Sequence, residues 1–185
     1  MQDTKNKLKH KFKPRIKYKN KSYSLKDSAL YKITTKKKLE IILKKPTSEL
    51  KSLASNSNYT IFFIEKSGKK KREIQSPTLE LDEVQTRIAS LLARIATPDY
   101  LHSGVKGRSY ITNAQVHVGN YPVLVMDIRD FYPSISKKSI YHFFYNTMSS
   151  APDVAGILAE LCSFQGHIPT GSRLSMPLSL SLIHI

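Results

Sequence analysis

The distribution of charge constrains this chain more than any other feature of its sequence. Residues 1–72 contain 22 of the 30 lysines and arginines but 5 of the 14 acidic residues, which gives this part a net charge of +17. Residues 73–185 contain the other 8 basic and 9 acidic residues and carry a net charge of −1. Segregated charge of this size indicates a polyanionic partner, either a nucleic acid or an anionic membrane surface, because solubility does not require segregation.

The first 21 residues are the most basic part of the chain. Lys or Arg occupies every odd position from Lys5 to Lys21, including Lys13, Arg15 and Lys17. Mutual repulsion and the scarcity of apolar residues favour disorder over a stable strand. We therefore predict a flexible basic arm over residues 1–22, which either lies along phosphates or is a solvated tail. A helical region over residues 23–57 is predicted to follow it.

Length and composition set further bounds. A chain of 185 residues can form one domain with its own core. Its one cysteine, Cys162, excludes an internal disulfide, and we expect this residue to lie in the core. No apolar run reaches the roughly 18 residues of a membrane helix, and the N-terminus lacks the apolar segment of a signal peptide. The sequence thus predicts a cytoplasmic protein without a membrane partner.

A hairpin and a long helix are the clearest local patterns. Residues 59–64 are aromatic and β-branched, Ser67-Gly68 provides a turn, and the basic residues 69–74 return. The basic arm of the hairpin either directs cations at phosphates or is a solvated edge strand. Residues 79–96 follow as a helix with a helically spaced apolar stripe, which consists of Val84, Ile88, Leu91, Leu92 and Ile95.

The stretch from Pro122 to Ile135 contains the most conspicuous carboxylate. Residues 123–126 are predicted to form a short buried strand, which would deliver Asp127 to the rim of a core. Proteins often place metal ligands at such rims, although a strand-to-helix turn with solvated acids has the same pattern. Two further helices are predicted after this stretch, one capped by Ser136 and one that begins at Pro152.

The loop of residues 101–109 contains two glycines and two bases, Lys106 and Arg108, and precedes a predicted helix over residues 110–118. Backbone N–H groups at the start of such a helix can bind a phosphate. The loop does not match the P-loop pattern, and on its own it is a weak signal.

Four motifs in this order and spacing resemble the reverse transcriptases of bacterial retrons and related elements. The resemblance runs from about Tyr59 to Leu178. It rests on Arg72-Glu-Ile-Gln-Ser-Pro77, on His102-Ser-Gly-Val-Lys-Gly-Arg-Ser109 with Asn113-Ala114, on Met126-Asp-Ile-Arg-Asp-Phe-Tyr-Pro-Ser134, and on Gly166-His-Ile-Pro-Thr-Gly-Ser172.

The resemblance implies an α+β fold, that of a right-hand polymerase. Residues 58–121 would form the fingers, and residues 122–185 would form the first part of the palm. The implied activity is RNA-directed DNA synthesis with two Mg²⁺ ions and dNTPs. The implied partners are an RNA template or structured noncoding RNA and the nascent DNA, with a role in phage defence if the enzyme belongs to a retron.

The resemblance also implies roles for individual residues. Asp127 and the carbonyl of Ile128 would bind the metal ions. Tyr132 would lie under the sugar and exclude a 2′-OH, and the backbone around Asp130 and Phe131 would meet the triphosphate. Arg72, with Lys70 as a second candidate, would grip the triphosphate, and Thr170 and Gly171 would pack against the nucleotide. Thr170 departs from the Gln that many reverse transcriptases carry at this position. Apart from the resemblance, the basic residues themselves predict nucleic-acid contacts for Lys106 and Arg108 in the loop and for Lys13, Arg15 and Lys17 in the arm.

One family motif does not occur in this sequence. The Tyr-x-Asp-Asp turn, which supplies further metal-binding acids, is absent. We therefore expect an N-terminal fragment, truncated before this turn and the thumb, that is inactive alone. The last six residues resemble translated adapter sequence and are expected to be non-native. The alternative function is a non-catalytic basic RNA-binding module derived from the polymerase fold.

Overall fold

The structure is a computed structural model that describes residues 22–65, 71–119 and 122–184. Residues 1–21 of the predicted basic arm and Lys70 lie outside these ranges. The described residues form a mixture of helices with one two-stranded sheet. In chain order the elements are α1 (Lys36–Leu43), α2 (Thr47–Leu53), β1 (Tyr59–Ile64), β2 (Arg72–Pro77), α3 (Leu79–Leu92), α4 (Tyr110–Val116), α5 (Phe131–Ser134), α6 (Lys137–His142), α7 (Pro152–Leu161) and α8 (Ser175–His184).

Helices α1, α2, α3, α6, α7 and α8 pack around one hydrophobic core. Helix α3 contacts α1, α8 and β2, and α7 contacts α1, α2 and α6. The apolar stripe predicted for α3 is confirmed, since all five of its residues are buried. Cys162 is also buried in this core, as expected. Burial of these aliphatic stripes against one another provides the main driving force for this part of the fold.

Local sequence signals set the ends of several helices. The side-chain hydroxyl of Ser136 accepts a hydrogen bond from the backbone N–H of Ser139 at 3.1 Å, which confirms the predicted cap of α6. Pro152 occupies the first turn of α7, as predicted. A π-helical turn over Phe143–Thr147 extends α6 and buries Phe143 and Phe144.

Helix α3 ends earlier than the pattern predicted. It stops at Leu92, while the apolar periodicity continues to Ile95. The reason is a contact between distant parts of the chain. The N–H of Tyr23 donates to the carbonyl of Arg94 at 3.0 Å, and the N–H of Ala96 donates to the carbonyl of Tyr23 at 2.9 Å. This pairing uses the N–H of Ala96, which a longer helix would have bonded to the carbonyl of Leu92.

The predicted antiparallel pairing of the two hairpin arms is confirmed, while the predicted Ser67-Gly68 turn lies outside the described residues. Strands β1 and β2 pair antiparallel, with Tyr59 opposite Pro77 and Ile64 opposite Arg72. Lys71 and Glu65, each next to the end of a strand, form an exposed ion pair at 2.5 Å. The apolar side chains of β1 are nevertheless exposed, since those of residues 61–64 are each more than two-fifths accessible.

The buried strand predicted over residues 123–126 is wrong. These residues have no regular secondary structure, and the exposed fractions of Val123, Leu124, Val125 and Met126 are 57%, 80%, 86% and 83%. A strand needs a neighbour to receive its backbone hydrogen bonds. In the described ranges the sheet consists of β1 and β2, and neither pairs with this segment.

Candidate nucleotide-binding site

The segment Thr170–Gly171 is attached to strand β2, which begins with Arg72. The hydroxyl of Thr170 donates to the carbonyl of Glu73 at 2.9 Å, and the N–H of Gly171 donates to the carbonyl of Gln75 at 3.2 Å. The side-chain carbonyl of Gln75 accepts the N–H of Thr170 at 3.2 Å. These bonds cross almost one hundred residues of sequence and fix the segment beside the strand.

Gly171 makes this attachment possible. A Cβ at this position would lie 2.6 Å from the carbonyl oxygen of Gln75 and 2.8 Å from Cγ2 of Ile74. Both distances are far shorter than van der Waals contacts, so any larger residue would push the segment away from β2. The requirement for glycine here is thus a requirement for close backbone approach.

The turn that carries Tyr132 is joined to the same segment from its other end. The N–H of Ile168 donates to the carbonyl of Ile135 at 3.2 Å, and the N–H of Lys137 donates to the carbonyl of Gly166 at 2.7 Å. Tyr132 lies one helical turn before these contacts, within α5, and its half-buried ring packs against the core. Residues 166–171 therefore link the Tyr132 turn to the Arg72 strand.

Arg72 and Tyr132 are close enough to interact electrostatically. Burial raises the pKa of the Tyr132 phenol, and the positive charge of Arg72 opposes this shift. Arg72 itself is exposed at the start of β2. The charge of Arg72 thus reaches a half-buried aromatic ring that lies 60 positions later in sequence.

The backbone at Asp130 has an unusual conformation. Its φ of 50° and ψ of 43° place it in the left-handed region immediately before α5. Its carbonyl accepts the N–H of Ser134 at 3.0 Å, while its side chain makes no cap hydrogen bond. Phe131 follows, with its ring centroid 5.3 Å from that of Tyr132. Residues held in this region often belong to functional turns.

Asp127 and Ile128 lie in the exposed segment, where the side chain of Ile128 is 61% accessible. Among the residues that the structure describes, no three histidine, cysteine or carboxylate side chains are close enough together to hold a metal ion. The described residues therefore do not by themselves fit a site for two Mg²⁺ ions. The roles of Asp127 and Ile128 as metal ligands stay predictions.

The predicted nucleic-acid contacts fall into two groups. Arg108 is engaged within the chain, because its guanidinium donates to the carbonyls of Pro98, Asp99 and Leu101 at 2.9, 2.8 and 2.6 Å and pairs with the Asp99 carboxylate at 3.1 Å. Lys106 is exposed on the same loop. Lys13, Arg15 and Lys17, like Lys70, lie outside the described residues. All these roles stay predictions.

Gln75 is a site residue that the motif reasoning did not assign. It is buried, and its side chain both accepts from Thr170 and donates to the Glu73 carboxylate at 2.9 Å. The alternation of side chains along a strand could not identify Gln75. Alternation predicts that the apolar Ile74 points into the core and that Gln75 points to solvent, whereas Ile74 is half-buried and Gln75 is buried. A buried glutamine inside a strand is itself the signal, since such a group needs partners.

The chain is similar in sequence to several retron reverse transcriptases. The chain is 41% identical over 104 residues to the retron Se72 reverse transcriptase of Salmonella heidelberg (strain 579083-10), a match that covers 56% of this chain and 27% of the relative. It is 26% identical over 140 residues to the retron Ec86 reverse transcriptase of Escherichia coli, and this match covers 72% of this chain and 42% of the relative. It is 34% identical over 85 residues to the retron Mx162 reverse transcriptase of Myxococcus xanthus, and this match covers 45% of this chain and 18% of the relative.

No protein-family model matches the chain. The chain spans between about a fifth and two-fifths of the length of these curated relatives. No helix in the described ranges combines the length and apolar character needed to cross a bilayer. The motif resemblance and the sequence matches agree: over the matched residues the chain is similar to the retron reverse transcriptases.

Proposed function

We propose that this chain forms the nucleotide-gripping part of an RNA-directed DNA polymerase. One observation carries the proposal: residues 166–171 tie the Tyr132 turn to the Arg72 strand through the Ile168–Ile135 and Gly171–Gln75 hydrogen bonds. These are three of the four motifs that resemble reverse transcriptases. Assembly of distant motifs around one space is what a nucleotide site requires, because binding energy depends on fixed relative geometry.

The chemistry of each group suits one part of a deoxynucleoside triphosphate. The Arg72 guanidinium offers a planar set of donors that matches phosphate oxygens. The ring of Tyr132 supports the sugar and leaves no room for a 2′-OH. The turn at Asp130 and Phe131 presents backbone to the triphosphate, and Thr170 and Gly171 pack against the nucleotide from the β2 side.

The polymerase as a whole requires more than these residues. Hard oxygen ligands suit Mg²⁺, and we propose Asp127 as one of them with the carbonyl of Ile128. A complete metal site needs further carboxylates, so we expect the 185-residue chain alone to be inactive in primer extension. We further propose residues 58–121 as fingers and residues 122–185 as part of the palm.

The proposed partners follow from charge and from the relatives. The net charge of +17 in residues 1–72 suits an RNA template or a structured noncoding RNA. The nascent DNA and dNTPs complete the set of substrates. A role in retron-linked phage defence belongs to the same proposal.

The test compares two nucleotides that differ only in the 2′-OH. We expect the purified chain to bind dATP on the order of tenfold more tightly than ATP in calorimetric titrations with Mg²⁺ present. Tyr132→Val removes the ring and should bring the two affinities together, mainly by strengthening ATP binding. Arg72→Ala should weaken both nucleotides equally, because the triphosphate is common to them.

Tyr141→Val is the matched control, since Tyr141 is also a partly buried tyrosine that packs against the core, but on α6. It should leave the preference for dATP unchanged. Equal binding of dATP and ATP by the unmodified chain would contradict the assignment of Tyr132.

The charge distribution favours a second candidate function, a non-catalytic RNA-binding module. Such a module would bind RNA through the basic part of the chain without a nucleotide site. Salt-sensitive RNA binding together with no measurable dATP binding would favour this function over the polymerase.

A further inference from the structure

Beneath the candidate site, a fully buried glutamine joins three elements. Gln85 lies on α3 and has an exposed fraction of 0%. Its side-chain N–H groups donate to the hydroxyl of Tyr59 at 2.6 Å and to the carbonyl of Leu161 at 2.8 Å. Its side-chain oxygen accepts the hydroxyl of Ser172 at 2.5 Å. Both N–H donors of this amide and one lone pair of its oxygen are thus used.

The orientation of the amide is determined by its partners. The carbonyl of Leu161 can only accept, so the nitrogen of Gln85 must face it. The oxygen then faces Ser172, whose hydroxyl donates to it and also accepts the N–H of Leu174 at 3.0 Å. The start of β1, the end of α7 and the segment after Gly171 are therefore connected through one side chain.

Ser172 directly follows the two residues that attach to β2. Gly171 is fixed to Gln75 on one side, and Ser172 is fixed to Gln85 on the other. Because Gly171 approaches β2 so closely, a small displacement of Ser172 would break the Gly171–Gln75 hydrogen bond. The position of residues 170–172 therefore depends on an anchor in the core as well as on the strand.

We propose that Gln85, acting through Ser172, is a positioning residue that holds Thr170 and Gly171 at the distance from β2 that nucleotide binding requires. This inference rests on the proposed function and adds a residue that touches no nucleotide. Its sequence signal is a glutamine on the apolar stripe of α3, between Val84 and Ile88. A polar residue there must be satisfied inside the core, since an unpaired buried amide is costly.

The experiment removes the hydrogen bond between Ser172 and Gln85 by changing Ser172, the less buried of the two residues. Ser172→Ala deletes the hydroxyl that reaches Gln85, while Ser172→Thr retains one. We expect Ser172→Ala to accelerate hydrogen exchange at the Gly171 amide about fivefold, the effect of losing one modest hydrogen bond. The affinity for dATP should fall by a similar factor, and Ser172→Thr should restore both values.

Ser90→Ala is the matched control. Ser90 is half-buried like Ser172, and its hydroxyl donates to the carbonyl of Arg87 at 2.8 Å within α3. This variant should lose comparable global stability without changing Gly171 exchange or dATP affinity. A double-mutant cycle with Gln85→Leu should show that Ser172→Ala has no further effect on Gly171 exchange once Gln85 is absent.

The outcomes separate this inference from the proposed function. Unchanged Gly171 exchange and unchanged dATP affinity in Ser172→Ala would overturn the positioning role while the nucleotide site stands. Absence of dATP binding by the unmodified chain would overturn the proposed function, whereas faster Gly171 exchange in Ser172→Ala would still show that Gln85 positions the segment. If Gln85→Leu fails to fold, the Ser172 and Ser90 variants decide the question alone.

Discussion

Two aliphatic regions of this molecule differ in burial. In α7 the side chains of Val154, Leu158 and Leu161 are completely buried. In residues 123–126 a similar run of aliphatic residues is between 57% and 86% exposed. A helix satisfies its own backbone hydrogen bonds and needs only a surface to pack against, while a strand also needs a paired neighbour. Hydrophobic content therefore predicted burial correctly for the helix and incorrectly for the predicted strand.

The largest expected effect tests this contrast directly with one kind of substitution at two sites. Leu158→Ala should lower the free energy of unfolding by about 2–5 kcal/mol, because it leaves a cavity in the core. Leu124→Ala should change it by no more than about 0.5 kcal/mol, since Leu124 is 80% exposed. Chemical denaturation of the two variants measures both values.

A large loss of stability in Leu124→Ala would show that the Asp127 segment is buried in solution. It would then be packed against something, and the contrast between the two regions would disappear. A small loss in Leu158→Ala would instead show that the helical core adjusts to the cavity.

The next prediction concerns the close approach of Gly171 to strand β2. Gly171→Ala should destabilise the chain by about 1–3 kcal/mol, because the added methyl group overlaps the Gln75 carbonyl and the segment must move away from β2. Thermal or chemical unfolding measures this loss, and dATP binding should weaken with it.

Gly156 supplies the control for that substitution. It lies in the middle of α7, and a Cβ there would meet no atom within 4 Å. Gly156→Ala should therefore stabilise the folded chain by about 0.5–1 kcal/mol, because alanine has less conformational entropy than glycine in the unfolded chain and loses less of it on folding. Similar effects of the two substitutions would argue against a close approach at Gly171.

The smallest expected effect is a change in titration. Arg72→Gln should raise the pKa of Tyr132 further, because the cation favours the phenolate and its removal favours the neutral phenol. The shift can be followed by NMR of ring-labelled tyrosine as the pH is increased. Arg173→Gln, which removes a cation that pairs with Asp82, should leave the Tyr132 pKa unchanged.

A lower or constant pKa of Tyr132 in Arg72→Gln would show that the two groups do not share one environment in solution. This result would separate the β2 strand from the Tyr132 turn. It would also remove the electrostatic support for a common nucleotide site.

Several parts of the fold could be read from sequence because their signals are local. The apolar stripe of α3, the Ser136 cap and the proline at the start of α7 each act within a few residues, and all three are confirmed. The hairpin is also local, since its two arms are adjacent in sequence. The family resemblance depended on motif order, which the sequence likewise contains.

The organisation of the site could not be read in the same way. Motif reasoning named Arg72, Tyr132, Thr170 and Gly171 as separate contacts, without the backbone hydrogen bonds that join them. It gave Arg108 to nucleic acid, whereas the guanidinium also holds three carbonyls of its own loop. Gln75 and Gln85 were not named, because a glutamine has no distinctive pattern until its partners are known.

The sequence by itself predicted several of the helices, the pairing of the two hairpin arms, the segregation of charge and the similarity to retron reverse transcriptases. Only the tertiary structure decided that residues 166–171 bridge the Tyr132 turn and the Arg72 strand, that a buried amide anchors this bridge, and that the Asp127 segment is exposed. The physical reason is the range of the interactions. Helix propensity, caps and turns act between near neighbours, while strand pairing, close backbone approach and buried polar contacts require residues that only folding brings together.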